Sequence, residues 1–197
     1  MTMMLDSYLN PTPWIDFEHP EIQAHLTAHP TDDRPEEAVI RETFEFVRDR
    51  VAHLWDIGSR RVTGRASEAL RHREGICYAK SHLLAALLRG RGVPSGLGYQ
   101  RLTLGDTPES GYCLHALNTV YVASRRKWIR LDARGNKPGV DAQFSLDAER
   151  LAFAVRPDCG EVDYGMNLAE PPPAITRTLE AHTDCRVMYA RHLPAEL

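Results

Sequence analysis

The chain has 197 residues, is 43% hydrophobic and 26% charged, and carries a formal net charge of -3. That is enough chain for a core of ordinary size, and the composition is that of a globular protein rather than a disordered or fibrous one. The charge balance argues against a nucleic acid or an anionic membrane as partner, and no apolar run approaches the roughly 18–20 residues that cross a bilayer.

The opening residues, Met1 to Tyr8, have neither a charged leader nor an apolar stretch, so no export signal is expected. The four cysteines (Cys77, Cys113, Cys159 and Cys185) are widely spaced. Together these features predict free thiols in a reducing, cytoplasmic setting. The expected organisation is one domain over 1–197, with an extended arm at 1–30, a core at about 35–135 and a C-terminal elaboration at 136–197.

Pro11, Pro13, Pro20 and Pro30 punctuate the arm, with a short helix expected at Pro20–Ala28. His19, His25 and His29 fall here without a supporting cysteine or carboxylate cluster and read as packed or surface residues. Asp32-Asp33-Arg34-Pro35-Glu36-Glu37 is a helix start, with acids in the first turn. Ile40, Phe44, Val47, Val51 and Leu54 then recur at helical spacing, which predicts an amphipathic helix over about 35–54. Trp55 closes it and is assigned to the core, with a cleft wall as the other reading. Ser67–Arg71 reads as a short capped helix.

Glu74-Gly75-Ile76-Cys77 then leads into an apolar segment in which Leu83, Leu84, Leu87 and Leu88 share a face. Gly90 reads as its stop signal. Cys77 is thereby predicted in the first helical turn, where unpaired N–H groups and the positive end of the helix dipole stabilise a thiolate. His82, five residues on, projects to another side. His72 has no carboxylate to orient it.

Ser95–Leu104 reads as a strand, and the loop Gly105–Gly111 as the border of a cleft. Tyr112–Val122 and Lys127–Asp132 are two more strand candidates. A hairpin centred between Ala123 and Ser124 would set His115 opposite Asp132, on one face and about 5 Å apart between Cβ atoms. A carboxylate there orients an imidazole, as in a catalytic triad. Cys113-x-His115 has no second ligand pair, so no metal site is expected, and no motif calls for a cofactor. Further on, Leu151–Val155 reads as a late strand, Gly160–Asn167 as an acidic loop and Ala174–His182 as a helix. Val187, Met188 and Tyr189 are apolar enough to dock.

The ordered set Gly75-x-Cys77, Arg89-x-x-Gly92-Val93-Pro94, His115-Ala116 and Trp128-x-x-Leu131-Asp132 resembles the transglutaminase-like superfamily. The resemblance covers about Ser67 to Asp132. Leu117 departs from it, standing where many members have an aromatic. It implies an α+β papain-like fold, with a Cys-bearing helix packed on an antiparallel sheet. It also implies thiol acyl transfer or amide hydrolysis on a peptide, protein or small amide, with Cys77 as nucleophile, His115 as base and acid, and Asp132 as orienter. The Cys77 N–H is one natural oxyanion donor; Gln100 or the Trp55 indole is a candidate for the second. The arylamine N-acetyltransferases are similar too, but Arg73-Glu74-Gly75-Ile76-Cys77 lacks their second adjacent glycine. A catalytically silent peptide-binding module is the rival outside enzymes.

Overall fold

A computed structural model describes residues 5–197. Met1–Met4, the start of the stretch read as lacking an export signal and of the arm, lie outside the described residues. The arm winds through a short turn of 3-10 helix at Asp6–Tyr8 into α1 (Pro20–Ala28). It is tied to the body by Asp16, which accepts from Ser67 N at 3.0 Å and from Ser67 Oγ at 2.6 Å.

Helix α2 (Glu36–Arg50) buries Val39, Ile40, Phe44 and Val47 along one stripe. It stops a turn earlier than the periodicity predicts. Val51 has extended backbone and Ala52–His53 forms a short strand, β1. Val51 and Leu54 are still buried, but from extended chain rather than helix. The cause is tertiary: Lys80, buried in the core, donates Nζ to the carbonyls of Arg48 (3.3 Å) and Val51. It takes up acceptors at the helix end that have no intrahelical donor. Helix α3 (Ala66–His72) follows and ends on Arg73 at φ 54°. Strand β2 (Glu74–Gly75) then pairs in parallel with β1, with His53 beside Gly75.

Helix α4 (Cys77–Arg89) is the centre of the molecule, and all of its residues are buried. Gly90 does not end it through left-handed backbone, since its φ is -63°. A Cβ at Gly90 would sit 2.5 Å from Leu26 Cδ1, so that side chain would have to move aside. The left-handed residue of the exit is Gly92, at φ 75°.

Strands β3 (Ser95–Thr103), β4 (Tyr112–Val122), β5 (Lys127–Leu131) and β6 (Val162–Asp163) form an antiparallel sheet in the order β5-β4-β3-β6. One face packs on α4. Tyr78 Oη donates to Leu114 O at 2.7 Å, and Asn118 Nδ2 donates to Ser81 O at 2.9 Å.

The remaining chain wraps this core. Leu151–Val155 is not a strand: it passes over the end of β5 without a ladder partner, because its backbone serves a side chain instead (below). Within the expected acidic loop, Val162–Asp163 pairs with β3. Helices α5 (Pro173–Ala181) and α6 (Cys185–Arg191) close the chain. The docking tail is thus helical, capped by Asp184, which accepts from Arg186 N at 2.8 Å. Among the described residues no helix is long and apolar enough to cross a membrane.

Candidate active site

A cleft of about 550 Å³ opens where α4 begins, and Cys77 and His115 both line it. Cys77 is the first residue of α4. The preceding Ile76 is extended, contributes no side-chain cap, and no acid stands in the first turn. The positive end of the helix is therefore uncompensated at the sulfur.

His115 Nε2 donates to Asp132 Oδ2 at 2.7 Å, and both side chains are buried. The hairpin reaches this pairing through a different register from the one predicted. Val122 pairs with Lys127, so Ala123–Arg126 forms a four-residue loop. The ladder is displaced by two residues, and Asp132, just beyond β5, follows on opposite Leu117 rather than His115. A displacement of two preserves the face, and a diagonal neighbour is still within reach.

Asp132 accepts from three donors, with both oxygens engaged. Oδ2 also takes Ala152 N at 3.0 Å, and Oδ1 takes Arg134 N at 3.1 Å. Burial alone would raise the pKa of Asp132; the charge and hydrogen bond of His115 and the two backbone donors outweigh it and hold it below its ordinary value. Burial alone would lower the pKa of His115; Asp132, with a smaller contribution from Cys77, carries it up to about 10. The pair is built to keep an imidazolium beside the sulfur. Phe153 meets the ring edge-on at 5.0 Å between centroids.

The rest of the wall contains residues that no motif singled out. His53 from β1, Arg134, Phe153 and Tyr189 all face the cleft. His53 lay inside the run read as helix, Arg134 follows the last strand, and Phe153 and Tyr189 arrive from distant segments with no local signature. Arg134 and Lys137 both bind the Asp56 carboxylate, the latter at 2.8 Å. Cys113 lines the same cleft, its thiol pushed up to about 12 by burial and the nearby Cys77. Of the Gly105–Gly111 loop expected to border the cleft, Gly105 and Asp106 line it, beside Thr103 and Leu104, while Thr107–Gly111 do not.

The two other predicted residues part company here. Trp55 is not in the core. It is 50% exposed, stacked on Tyr189 at 4.5 Å and 20°, and lines the cleft. The chain turns outward after the buried Leu54, which leaves the indole on the rim. Gln100 is buried opposite His115 in the β3–β4 ladder, but it does not line the cleft. Its Nε2 donates to Asp163 at 3.0 Å, because β6 sets that carboxylate beside it. His82 is a core residue bonded through Nδ1 to Gly64 O at 2.7 Å.

The family model described as the Transglutaminase-like superfamily matches residues 21–133, more than half of the chain. The chain belongs to the transglutaminase-like superfamily. Its helix-on-antiparallel-sheet architecture is that of a transglutaminase-like fold. Among solved structures, one titled a putative cysteine protease from Cytophaga hutchinsonii is similar, with a TM-score of 0.48 and 18% identity over 66% of this chain and 42% of that one. The periplasmic domain of TgpA from Pseudomonas aeruginosa, bound to ethylmercury, gives a TM-score of 0.48 and 16% identity over 68% of this chain and 49% of that one. This transglutaminase-like chain thus aligns with under half the length of either. No curated protein sequence matches it.

Proposed function

We propose that this transglutaminase-like protein is a thiol-dependent amide hydrolase that acts on a peptide or protein through an acyl-enzyme on Cys77. The observation that carries the reading is the buried His115–Asp132 pair at 2.7 Å, in one cleft with a cysteine at an uncapped helix start.

His115, oriented by Asp132, takes the proton from Cys77 or pairs with its thiolate. The sulfur attacks the carbonyl, and the Cys77 N–H helps hold the oxyanion. His115 then protonates the leaving amine, and water resolves the thioester. Water is favoured over an amine acceptor because no acceptor site is legible. The partly exposed Trp55–Tyr189 stack suits an extended chain laid along the rim. Four free cysteines support a reducing, cytoplasmic setting.

Alkylation of Cys77 by iodoacetamide, followed against pH in wild type and in His115→Ala, tests this. The expected result is rapid alkylation of Cys77 at neutral pH in wild type, and loss of that reactivity in the variant. A Cys77 indifferent to His115 would overturn the reading.

A further inference from the structure

One histidine of the cleft takes no part in the chemistry described so far. His53 is 4% exposed and lines the cleft with Cys77 and His115. Its Nδ1 is buried with no hydrogen-bond partner among the described residues. Buried polar atoms are almost always paired; with Nδ1 closed off from the cleft, Nε2 is the ring nitrogen that a molecule bound there can reach.

The backbone holds His53 against the start of α4. β1 runs parallel to β2 with His53 beside Gly75, two residues before Cys77, and Leu54 N donates to Gly75 O at 3.2 Å. The groups around the ring are Arg134, Asp56, Lys80, His115 and the edge of Tyr189. Burial first, then the neighbouring Arg134, push its pKa well below that of an ordinary histidine, against the pull of Asp56. A neutral imidazole has one N–H to give. It does not compete with His115, whose charged form the structure favours.

We infer that His53 is the second donor to the oxyanion formed on Cys77. The inference rests on the acyl-transfer reading above. As the Cys77 sulfur bonds to the carbonyl carbon, the carbonyl π pair moves onto oxygen. The Cys77 N–H and the His53 ring N–H hold that oxygen. The pair then returns to carbon, the bond to the leaving group breaks, and His115 delivers the proton. Of the two candidates named from sequence, the amide of Gln100 is engaged by Asp163 and lies outside the cleft, and Trp55 stands on its solvent-exposed rim, 50% exposed, where His53 is buried.

Two reactions of the same sulfur test the inference. Acylation of Cys77 by p-nitrophenyl acetate builds an oxyanion; alkylation by iodoacetamide does not. In His53→Met, which removes the donor at similar size, acylation is expected to fall about a hundredfold, as when an oxyanion donor is lost elsewhere, while alkylation keeps its rate and pH profile. His53→Gln, which keeps an N–H, recovers part of the acylation rate. Circular dichroism checks the fold, and His53→Ala replaces the Met variant if that one does not fold. Acylation at the wild-type rate in the Met variant overturns the inference, and so does a parallel loss of both reactions, which would mark a structural residue. A wild-type Cys77 that resists acylation is a distinct result: it sinks the acyl-transfer reading and this inference with it.

Discussion

Asp132 is a buried carboxylate with three donors, and its environment decides what each substitution does. Asp132→Ala leaves His115, Ala152 N and Arg134 N without their acceptor and should cost about 3 kcal/mol or more of stability, read from denaturant unfolding. Asp132→Asn keeps the volume and one acceptor, yet can fix the wrong His115 tautomer. It should slow Cys77 alkylation at neutral pH by roughly tenfold or more with a smaller loss of stability. Because the fold raises the pKa of His115 to about 10, its stabilising contribution is fully present below the unfolded value of about 6.5. It is lost as pH rises toward 10. Thermal unfolding of wild type against His115→Gln over pH 6–10 should show the difference shrinking with pH; a constant difference would refute the charge pairing.

Lys80 governs the junction between α2 and β1. Burial, with Arg134 nearby, lowers its pKa to about 7. The unfolded chain then binds more protons than the folded one between about pH 7 and 10.4, so this residue's contribution rises with pH across that window. That sign is opposite to the one for His115. Lys80→Met should flatten the rise. It should also loosen β1, measured as faster amide exchange at Ala52 and Leu54. Strand β3 offers a separate test. A Cβ on Gly96 would meet Asn167 Oδ1 at 2.1 Å and Thr119 Oγ1 at 2.6 Å, so Gly96→Ala should destabilise by about 2 kcal/mol, as overpacking does. Elements were legible in the sequence where apolar periodicity or strand-forming composition runs unbroken between turn signals. The stripe of α2, the span of α4 and the strands β3 to β5 follow from local periodicity. The last turn of α2 and the hairpin register did not follow, because a distant lysine and a four-residue loop decide them. Leu151–Val155 has the composition of a strand, and only the position of Asp132 explains why it forms none. The face shared by Cys77, His115 and Asp132 was legible because parity survives a two-residue slip; the placement of Gln100 was not, since it depends on where β6 docks.

At the scale of the molecule, Arg89 holds the periphery together. Buried at the end of α4, it donates to Asn10 O (2.6 Å), Ser95 O (2.7 and 2.9 Å) and Ala169 O (2.6 Å). These carbonyls belong to the arm, the start of β3 and the segment before α5. Arg89→Leu should leave them unpaired at a cost of about 3 kcal/mol and raise protease sensitivity in both outer segments, with Cys77 reactivity lost only when the whole molecule unfolds. Early, selective loss of Cys77 reactivity would contradict that picture. The family match ends at residue 133, yet Asp132 draws a donor from Ala152, His115 is flanked by Phe153, and Tyr189 stands across the cleft. A fragment cut to the matched span would keep Cys77, His115 and Asp132 and lose the donor and the cleft walls that the later segments supply. The stretch that carries the family pattern and the stretch that encloses the cleft are therefore different lengths of chain.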